Sequence, residues 1–252
     1  MSKVLTIPVG VSNRHFHLAQ ADVEILFGSG YQLTKLRDIS QKGQFAANET
    51  LTVVGPKGRI EKIRIVGPTR GKTQLEISRS DAVLLGLDPP VRYSSDLANS
   101  AGAHLLGPKG ELDLKEGVII AQRHIHMSPA EAKNFGAKDR DRVVAAPVAK
   151  LASPNSEART VIFDNVLIRV HESFVLDFHL DLDEANAAGF KTGDRVRILG
   201  FSNCPSAEPP IKLITENDVR RAILEKRRIK VPAGAKITPA AAEMAKAHKV
   251  FV

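Results

Sequence analysis

Two copies of the pattern Arg-His-x-His constrain this chain more than any other feature. The first copy, "NRHFHL", occupies residues 13–18 and the second, "QRHIHM", occupies residues 122–127, so that four of the eight histidines lie in the copies. Each copy leads into a short stretch with helical spacing that ends in Phe-Gly, at Phe27-Gly28 and at Phe135-Gly136. A strand that recurs with a short helix behind it predicts two related β units, as small barrels or curled sheets.

Strand signals dominate the first 200 residues. Short runs rich in β-branched residues are bounded by Gly and Pro, and tight turns are predicted at Pro56-Lys57-Gly58 and at Pro108-Lys109-Gly110. Helical spacing appears only in three short pieces, "AQADVEILFG", "SPAEAKNFG" and "DLDEANAAGF". We therefore predict a mainly β fold with short capping helices and two β-barrel domains from an internal repeat, plus a C-terminal helical appendage.

The predicted domain boundaries fall beside the two copies. One barrel is assigned residues 1–13 and 122–200, and the other barrel is assigned residues 14–121. Residues 201–252 are assigned to a linker and the helical appendage. Composition supports this last boundary, because "FSNCPSAEPP" is rich in Pro and Ser, whereas the tail beyond it is basic and rich in Ala.

Two helices are predicted in the tail. Thr215-Glu216-Asn217-Asp218 supplies cap residues for an amphipathic helix, and a second helix follows Pro239. We expect the appendage to pack on the body of the protein or on a partner. An exposed loop is predicted at residues 147–160, where Pro, Ser, Ala and Asn are frequent.

The balance of charge favours anionic ligands. The chain has 36 Lys and Arg against 28 Asp and Glu, which gives a net charge of +8. Nucleic acid and a phosphorylated small molecule fit this charge equally well. Aromatic residues make up only 5% and Trp is absent, so few side chains can stack on single-stranded nucleic acid. We therefore expect a small anionic ligand, and neither nucleic acid nor a membrane as partner.

Other features of the composition predict a cytoplasmic protein. No stretch approaches the roughly 18 consecutive apolar residues of a membrane span, and the first residues lack the apolar core of a signal peptide. The single cysteine, Cys204, excludes an intramolecular disulfide and a cysteine-based zinc site. Any metal must therefore be held by histidines and carboxylates.

The paired histidines can bind metal. Side chains at positions i and i+2 of a strand point to the same face, so His15 with His17, and His124 with His126, each present two imidazoles on one side. A solvated surface is the commoner explanation of a single pair. Two pairs at the same point of a repeat favour a metal centre.

Further residues fit such a centre. His179 ends a strand before a helix, and Glu76 lies in a strand-like run, so both can complete a site whose ligands are His and carboxylate. Arg70 lies in a turn-like stretch close before Glu76 and is suited to bidentate binding of phosphate. Asp181 and Asp183 are candidates to orient a ligating imidazole.

Several long motifs resemble the PduL-type phosphotransacylases, also called phosphate propanoyltransferases. They are "IPVGVSNRHFHL", "GPTRGKTQLEISRSDA", "GVIIAQRHIHMSPAEA" and "DEANAAGFKTGDRV", and the resemblance covers about residues 4–200 in collinear order. It implies two β-barrel domains, a site with two zinc ions, and transfer of a short-chain acyl group, propanoyl or acetyl, between coenzyme A and inorganic phosphate.

The resemblance also implies roles for individual residues. Arg70 is implied to bind phosphate and to act in catalysis. The implied metal ligands, without a division between the two ions, are His15, His17, Glu76, His124, His126 and His179. The implied contacts to coenzyme A are Ser12, Arg37, Arg64 and Asn186. Arg37 stands where the family can carry lysine, so the positive charge is kept.

Partners and location follow from the same resemblance. A homodimer is implied. Relatives in bacterial microcompartments often carry an amphipathic extension before the β region, but only six residues precede Ile7-Pro8 here. The enzyme is therefore expected either free in the cytoplasm or inside a microcompartment, where residues 211–252 would contact shell or core proteins.

Two other functions are open at this point. Paired histidines with carboxylates also form binuclear sites of metal-dependent hydrolases, which would release acyl groups from acyl phosphates or thioesters to water without coenzyme A. A basic binding protein without catalytic activity, with structural histidines, would bind nucleic acid with an affinity that falls steeply with salt.

Overall fold

A computed structural model describes most of the chain. It covers residues 5–148 and 160–202 continuously. The chain separates into two compact units, Met1–Ser202 and Asn203–Val252. The described residues of the second unit are 216, 219, 220, 223, 228, 231, 236–248 and 250.

Six strands of the first unit close one barrel. They are β1 (Ile7–Ser12), β10 (His124–Met127), β11 (Arg142–Pro147), β12 (Phe163–Val170), β13 (Asp177–Asp181) and β14 (Arg195–Phe201). Their order around the barrel is β1-β13-β10-β12-β11-β14. We call this the first barrel because it contains β1.

Six other strands close the second barrel. They are β2 (His15–His17), β4 (Phe45–Val54), β5 (Arg59–Gly67), β6 (Gln74–Glu76), β8 (Ala101–Leu106) and β9 (Glu111–Ala121). Pairing runs β4-β5-β2-β6-β9-β8 and returns to β4. Two short strands, β3 (Lys35–Asp38) and β7 (Val91–Arg92), pair with β4 and β9. The predicted mainly β fold with two barrels is confirmed.

The chain passes from one barrel to the other beside each Arg-His-x-His copy. Asn13-Arg14 joins β1 of the first barrel to β2 of the second, and Gln122-Arg123 joins β9 of the second barrel to β10 of the first. The His-x-His strand of each barrel then pairs antiparallel with another short strand, β2 with β6 and β10 with β13. The two barrels therefore follow the same plan around their histidines.

The residue between the two histidines of each copy anchors its strand. Phe16 and Ile125 are fully buried and pack in the hydrophobic cores of the second and first barrel. Because neighbouring side chains of a strand point to opposite faces, the imidazoles on either side point away from these cores. The apolar residue in His-x-His thus directs both imidazoles out of the barrel.

Short helices cap the barrels. They are α1 (Gln20–Phe27), α2 (Arg79–Leu85), α3 (Pro129–Phe135) and α4 (Leu182–Ala188). The sequence predicts α1, α3 and α4, which are confirmed, but the prediction of only three such pieces was wrong. A capping box of Ser78 and Asp81 begins α2, and Gly86 ends it with a φ of 72°. The apolar run at its end is as short as a strand, so periodicity alone does not identify this helix.

The second unit contains helix α5 (Pro239–His248), which confirms a C-terminal helix. Ala241 and Ala245 of α5 are buried together with Val219 and Val250. No helix among the described residues is long and apolar enough to cross a membrane. Several features predicted from the sequence lie outside the described residues, namely the cap residues Thr215, Asn217 and Asp218, the linker residues 203–210 with Cys204, and residues 149–159 of the predicted loop.

Glu49 on β4 accepts hydrogen bonds from the segment that precedes β3. The Tyr31 hydroxyl donates a 3.0 Å hydrogen bond to its carboxylate, and Thr34 donates from its hydroxyl at 2.7 Å and from its backbone N–H at 3.1 Å. Burial raises the pKa of Glu49, but these hydrogen bonds outweigh burial and hold the pKa below its ordinary value. The folded state therefore favours the charged carboxylate.

Glu49→Gln is expected to lower the free energy of unfolding by about 2 kcal/mol near neutral pH, because hydrogen bonds to a charged group are lost. Since the folded pKa is depressed, this contribution is complete above the unfolded pKa of about 4.3 and is lost as pH falls through the folded value. Urea denaturation at about pH 7 and about pH 3 measures the difference between wild type and variant, which should shrink at the lower pH. The control is Glu172→Gln at an exposed carboxylate. A difference that does not change with pH would contradict the assignment.

Candidate functional site

One cavity of about 830 Å³ is lined by residues of both barrels. All six predicted metal ligands line it, together with Arg70 and the predicted coenzyme A contacts Ser12, Arg37 and Arg64. Asn186 lies on the exposed surface of α4 and is not among the lining residues. The structure therefore brings all but one of the predicted site residues to a single cavity.

The His124 triad consists of His124, His126 and His179. The first two lie on β10, and His179 lies opposite His124 on β13. One ligand atom of each residue lies within 4.8 Å of the others. The ring centroids of His124 and His126 are 4.6 Å apart, and those of His126 and His179 are 4.9 Å apart. Three convergent imidazoles are a donor set typical of zinc sites.

The His15 triad consists of His15, His17 and Glu76, whose ligand atoms also lie within 4.8 Å of one another. His15 Nε2 is 3.7 Å from Glu76 Oε2, and Glu76 lies opposite His15 on β6. Glu76 therefore occupies in the second barrel the place that His179 occupies in the first. Burial raises the pKa of Glu76, but the imidazoles of His15 and His17 outweigh it and hold the pKa below its ordinary value.

Backbone carbonyls orient three of the imidazoles. His15 and His124 each donate from Nδ1 to the carbonyl two residues earlier, at 2.8 and 2.7 Å. His17 donates from Nδ1 to the carbonyl of Val66 at 3.0 Å. Because a carbonyl only accepts, Nδ1 carries the proton in all three rings, and Nε2 keeps its lone pair for a ligand in the cavity.

His179 is oriented the other way. Its Nε2 lies 2.9 Å from Asp177 Oδ2, so Nε2 donates to the carboxylate and Nδ1 keeps the lone pair. The sequence-based choice of Asp181 or Asp183 for this role was wrong. Asp181 accepts a hydrogen bond from the backbone N–H of Glu184 and caps α4, while Asp183 accepts from the backbone N–H of Ser80. The strand period of two places Asp177 and His179 on the same face.

Burial favours the neutral form of three of the histidines. Burial, followed by repulsion from His15, lowers the pKa of His17 to about 3. Burial and the neighbouring His179 lower the pKa of His124, and burial and the neighbouring His124 lower the pKa of His126. A metal ion requires neutral imidazoles and an ionised carboxylate, so the directions of shift for His17, His124, His126 and Glu76 all favour metal binding.

His126 gives independent support for a bound ligand. Its Nδ1 is buried and has no hydrogen-bond partner among the described residues. Buried polar atoms are seldom left without a partner, because such an atom costs free energy. Five imidazoles and one carboxylate, divided between the two triads, form a donor set that fits two metal ions.

Arg70 contributes positive charge to the cavity. Its guanidinium group makes only long hydrogen bonds, 3.3 Å to the Ser94 hydroxyl and 3.4 Å to the Gln44 side chain. It forms no ion pair with any described residue, and burial lowers its pKa. Because a half-buried charge without a counter-ion is costly, the site fits an anionic ligand.

Arg169 adds a second guanidinium group that the sequence analysis missed. It lies opposite His126 in the pairing of β12 with β10, lines the same cavity, and lies 5.5 Å from the ring centroid of Phe174. No described residue forms an ion pair with it. The one signal in the sequence is an arginine inside the apolar run "VLIRV", whose place beside β10 is set by the barrel pairing.

Comparison with known proteins agrees with this geometry. The family model described as phosphate propanoyltransferase matches residues 8–191. The phosphate propanoyltransferase of Thermotoga maritima is 53% identical over 195 residues, which cover 77% of this chain and 90% of that protein. Those of Priestia megaterium and Lachnoclostridium phytofermentans are 51% and 50% identical, over 75% and 77% of this chain and 83% and 87% of their own lengths. The matched region contains both triads, Arg70 and Arg169.

Proposed function

This chain belongs to the phosphate propanoyltransferase family and is a phosphate acyltransferase, and from that premise we propose that it moves a short-chain acyl group, propanoyl or acetyl, between coenzyme A and inorganic phosphate at a site with two zinc ions. One observation carries the proposal, namely that two triads of possible metal ligands line one cavity together with Arg70 and Arg169, neither of which has an ion-pair partner among the described residues.

Each triad holds one zinc ion in this proposal. The division follows the geometry, because the ligand atoms of each triad lie within 4.8 Å of one another. Zinc favours histidine and carboxylate donors when cysteine is absent. Bound zinc supplies Lewis-acid polarisation of a carbonyl oxygen. The carbonyls of residues 13 and 122 and the Asp177 carboxylate fix the ring orientation of three ligands, which favours a constant site geometry.

The arginines bind and orient the phosphate. Arg70 and Arg169 present two guanidinium groups to the cavity, and guanidinium matches the geometry of phosphate oxygens. A phosphate oxygen attacks the carbonyl carbon of the thioester, the carbon–sulfur bond breaks, and sulfur leaves as the thiolate of coenzyme A. The fixed positive charges offset the negative charge that develops on the carbonyl oxygen. Holding both reactants in one cavity removes most of the entropic cost of the encounter.

The acyl group and coenzyme A occupy different parts of the cavity in this proposal. Phe174 lines the cavity beside His126, with ring centroids 4.2 Å apart, and offers an apolar surface to a short acyl chain. Arg37 and Arg64 line another part and suit the phosphates of coenzyme A. Transfer is direct in a ternary complex. The proposal includes no acyl-enzyme on Cys204, the one cysteine of the chain, so Cys204→Ala should retain full activity.

A coupled assay of CoA-thioester formation tests the proposal. Acetyl phosphate and propanoyl phosphate are supplied with coenzyme A to native, chelator-treated and zinc-restored protein. We expect activity that is lost with the metal and returns with zinc. Release of phosphate at the same rate without coenzyme A would favour the metal-dependent hydrolase instead, and turnover that is unaffected by complete removal of metal would contradict the zinc centre.

Location and assembly belong to the same proposal. A homodimer, a cytoplasmic or microcompartment location, and contacts of residues 211–252 with shell or core proteins are expected by analogy with the family. Co-purification of shell proteins with the whole chain, but not with a chain that ends at residue 210, would support a packaging role for the tail.

A further inference from the structure

The arginine of each Arg-His-x-His copy makes a close ion pair with a helix. Arg14 Nε lies 2.9 Å from Asp81 Oδ2, and Arg14 Nη2 lies 2.7 Å from Asp81 Oδ1, so the pair is bidentate. Arg123 Nη1 contacts Glu184 Oε1, and Arg123 Nε donates to the carbonyl of Asp164 at 3.0 Å. The two arginines therefore bind the same type of partner in the two barrels.

The two carboxylates occupy equivalent positions. Asp81 is the third residue of α2, and Glu184 is the third residue of α4. Each helix directly follows the strand that carries the third ligand of a triad, Glu76 on β6 and His179 on β13. Each ion pair therefore joins the residue just before the strand with two histidines to the helix that follows the strand with the third ligand.

These pairs supply a restraint that the short strands lack. The strand β2 has three residues and β6 has three, so only a few ladder hydrogen bonds hold His15 opposite Glu76. The side chain of Asp81 is 6% exposed and that of Arg14 is 32% exposed. A bidentate, partly buried pair is geometrically more restrictive than a surface pair.

We infer that Arg14 and Arg123 are positioning residues, each of which sets the spacing of the metal ligands in its own barrel. This inference rests on the proposed metal centre. Arg14 acts on the His15 triad through Asp81, and Arg123 acts on the His124 triad through Glu184. Arg14 also lines the cavity, but Arg123 is not among its lining residues. If substitution of either arginine weakens zinc binding in its own barrel, direct contact with substrate does not explain the result, because Arg123 does not line the cavity.

Zinc affinity of single triads tests the inference without measuring activity. His126→Gln leaves the His15 triad intact, and His17→Gln leaves the His124 triad intact. In the His126→Gln background, Arg14→Gln is expected to weaken zinc binding about 10- to 100-fold, as measured by chelator competition, whereas Arg123→Gln should have little effect. The His17→Gln background should give the reverse. Arg14→Lys keeps the charge but not the bidentate geometry, and Arg123→Lys keeps the charge but not the Nε donor to the carbonyl of Asp164, so the loss in each should be intermediate.

Controls separate positioning from folding. Arg59→Gln removes a surface ion pair with Glu61 and should leave zinc affinity unchanged. Thermal unfolding of every variant shows which ones are folded. Where a glutamine variant does not fold, zinc affinity is measured on the corresponding lysine variant. Equal weakening of both triads by either arginine variant, or no weakening at all in a chain that binds two zinc ions, would overturn the inference alone. A wild-type chain that binds no zinc would overturn the inference together with the zinc proposal.

Discussion

His126→Gln is expected to remove one of the two proposed zinc ions and to lower kcat/KM of acyl transfer about 10³-fold. The reason is that His126 is the middle of three imidazoles that converge on one point, with centroid distances of 4.6 and 4.9 Å to its neighbours. The loss of Lewis-acid stabilisation costs several kcal/mol in the transition state, and each ~1.4 kcal/mol is a tenfold change in rate. Metal content by elemental analysis and steady-state kinetics measure the two effects.

His104→Gln provides the matched control for this variant. His104 lies on β8, where its Nδ1 is 2.7 Å from Asp113, and it is not among the residues that line the cavity. This change should leave two metal ions and essentially full activity. If His126→Gln keeps both metals and wild-type kinetics, the His124 triad is not a metal centre.

Arg70→Met is expected to raise KM for phosphate and to lower kcat/KM about 10²- to 10³-fold, while KM for acetyl-CoA changes little. Arg70 has only long hydrogen bonds of 3.3 and 3.4 Å and no ion-pair partner among the described residues, so its charge is free for an anion. Removing one partner of a charge-assisted hydrogen-bonded pair costs about 2–5 kcal/mol. Initial rates of acyl phosphate formation, with phosphate and acetyl-CoA varied separately, measure the split.

Two further variants are the controls for Arg70→Met. Arg70→Lys keeps the positive charge without the fork of donors and should recover part of the loss. Arg59→Met changes a surface arginine outside the cavity and should leave both KM values as in the wild type. A rise in KM for acetyl-CoA alone would place Arg70 in the coenzyme A site and contradict the phosphate assignment.

The sequence predicted the paired histidines of the site, but it did not predict which carboxylate orients His179. The strand period of two was enough to put His15 beside His17 and His124 beside His126, because this period is a property of the extended backbone. The same period relates Asp177 to His179, but the sequence offers several carboxylates nearby, and only the hydrogen bonds of Asp181 and Asp183 show that these two are occupied elsewhere. Local geometry is predictable, whereas the choice among equivalent partners is not.

Arg169 and helix α2 are the clearest cases of what the sequence analysis missed. Arg169 enters the cavity because β12 pairs in parallel with β10, a pairing of residues more than forty positions apart in the chain. Helix α2 has a capping box and a closing glycine, yet its apolar run has the length of a strand. Arg169 was missed because its place depends on which strands become neighbours when the barrels close, and α2 was missed because its length does not distinguish a helix from a strand.

By itself, the sequence determined the mainly β class, the internal repeat and the four paired imidazoles, because these follow from residue type and from the spacing along one strand. Only the tertiary structure decided that Glu76 takes the place of His179, that Arg14 and Arg123 bind helices, and that both triads line one cavity. The physical reason is that these relations are set by strand pairing and register between distant segments, and a single strand carries no information about its neighbours.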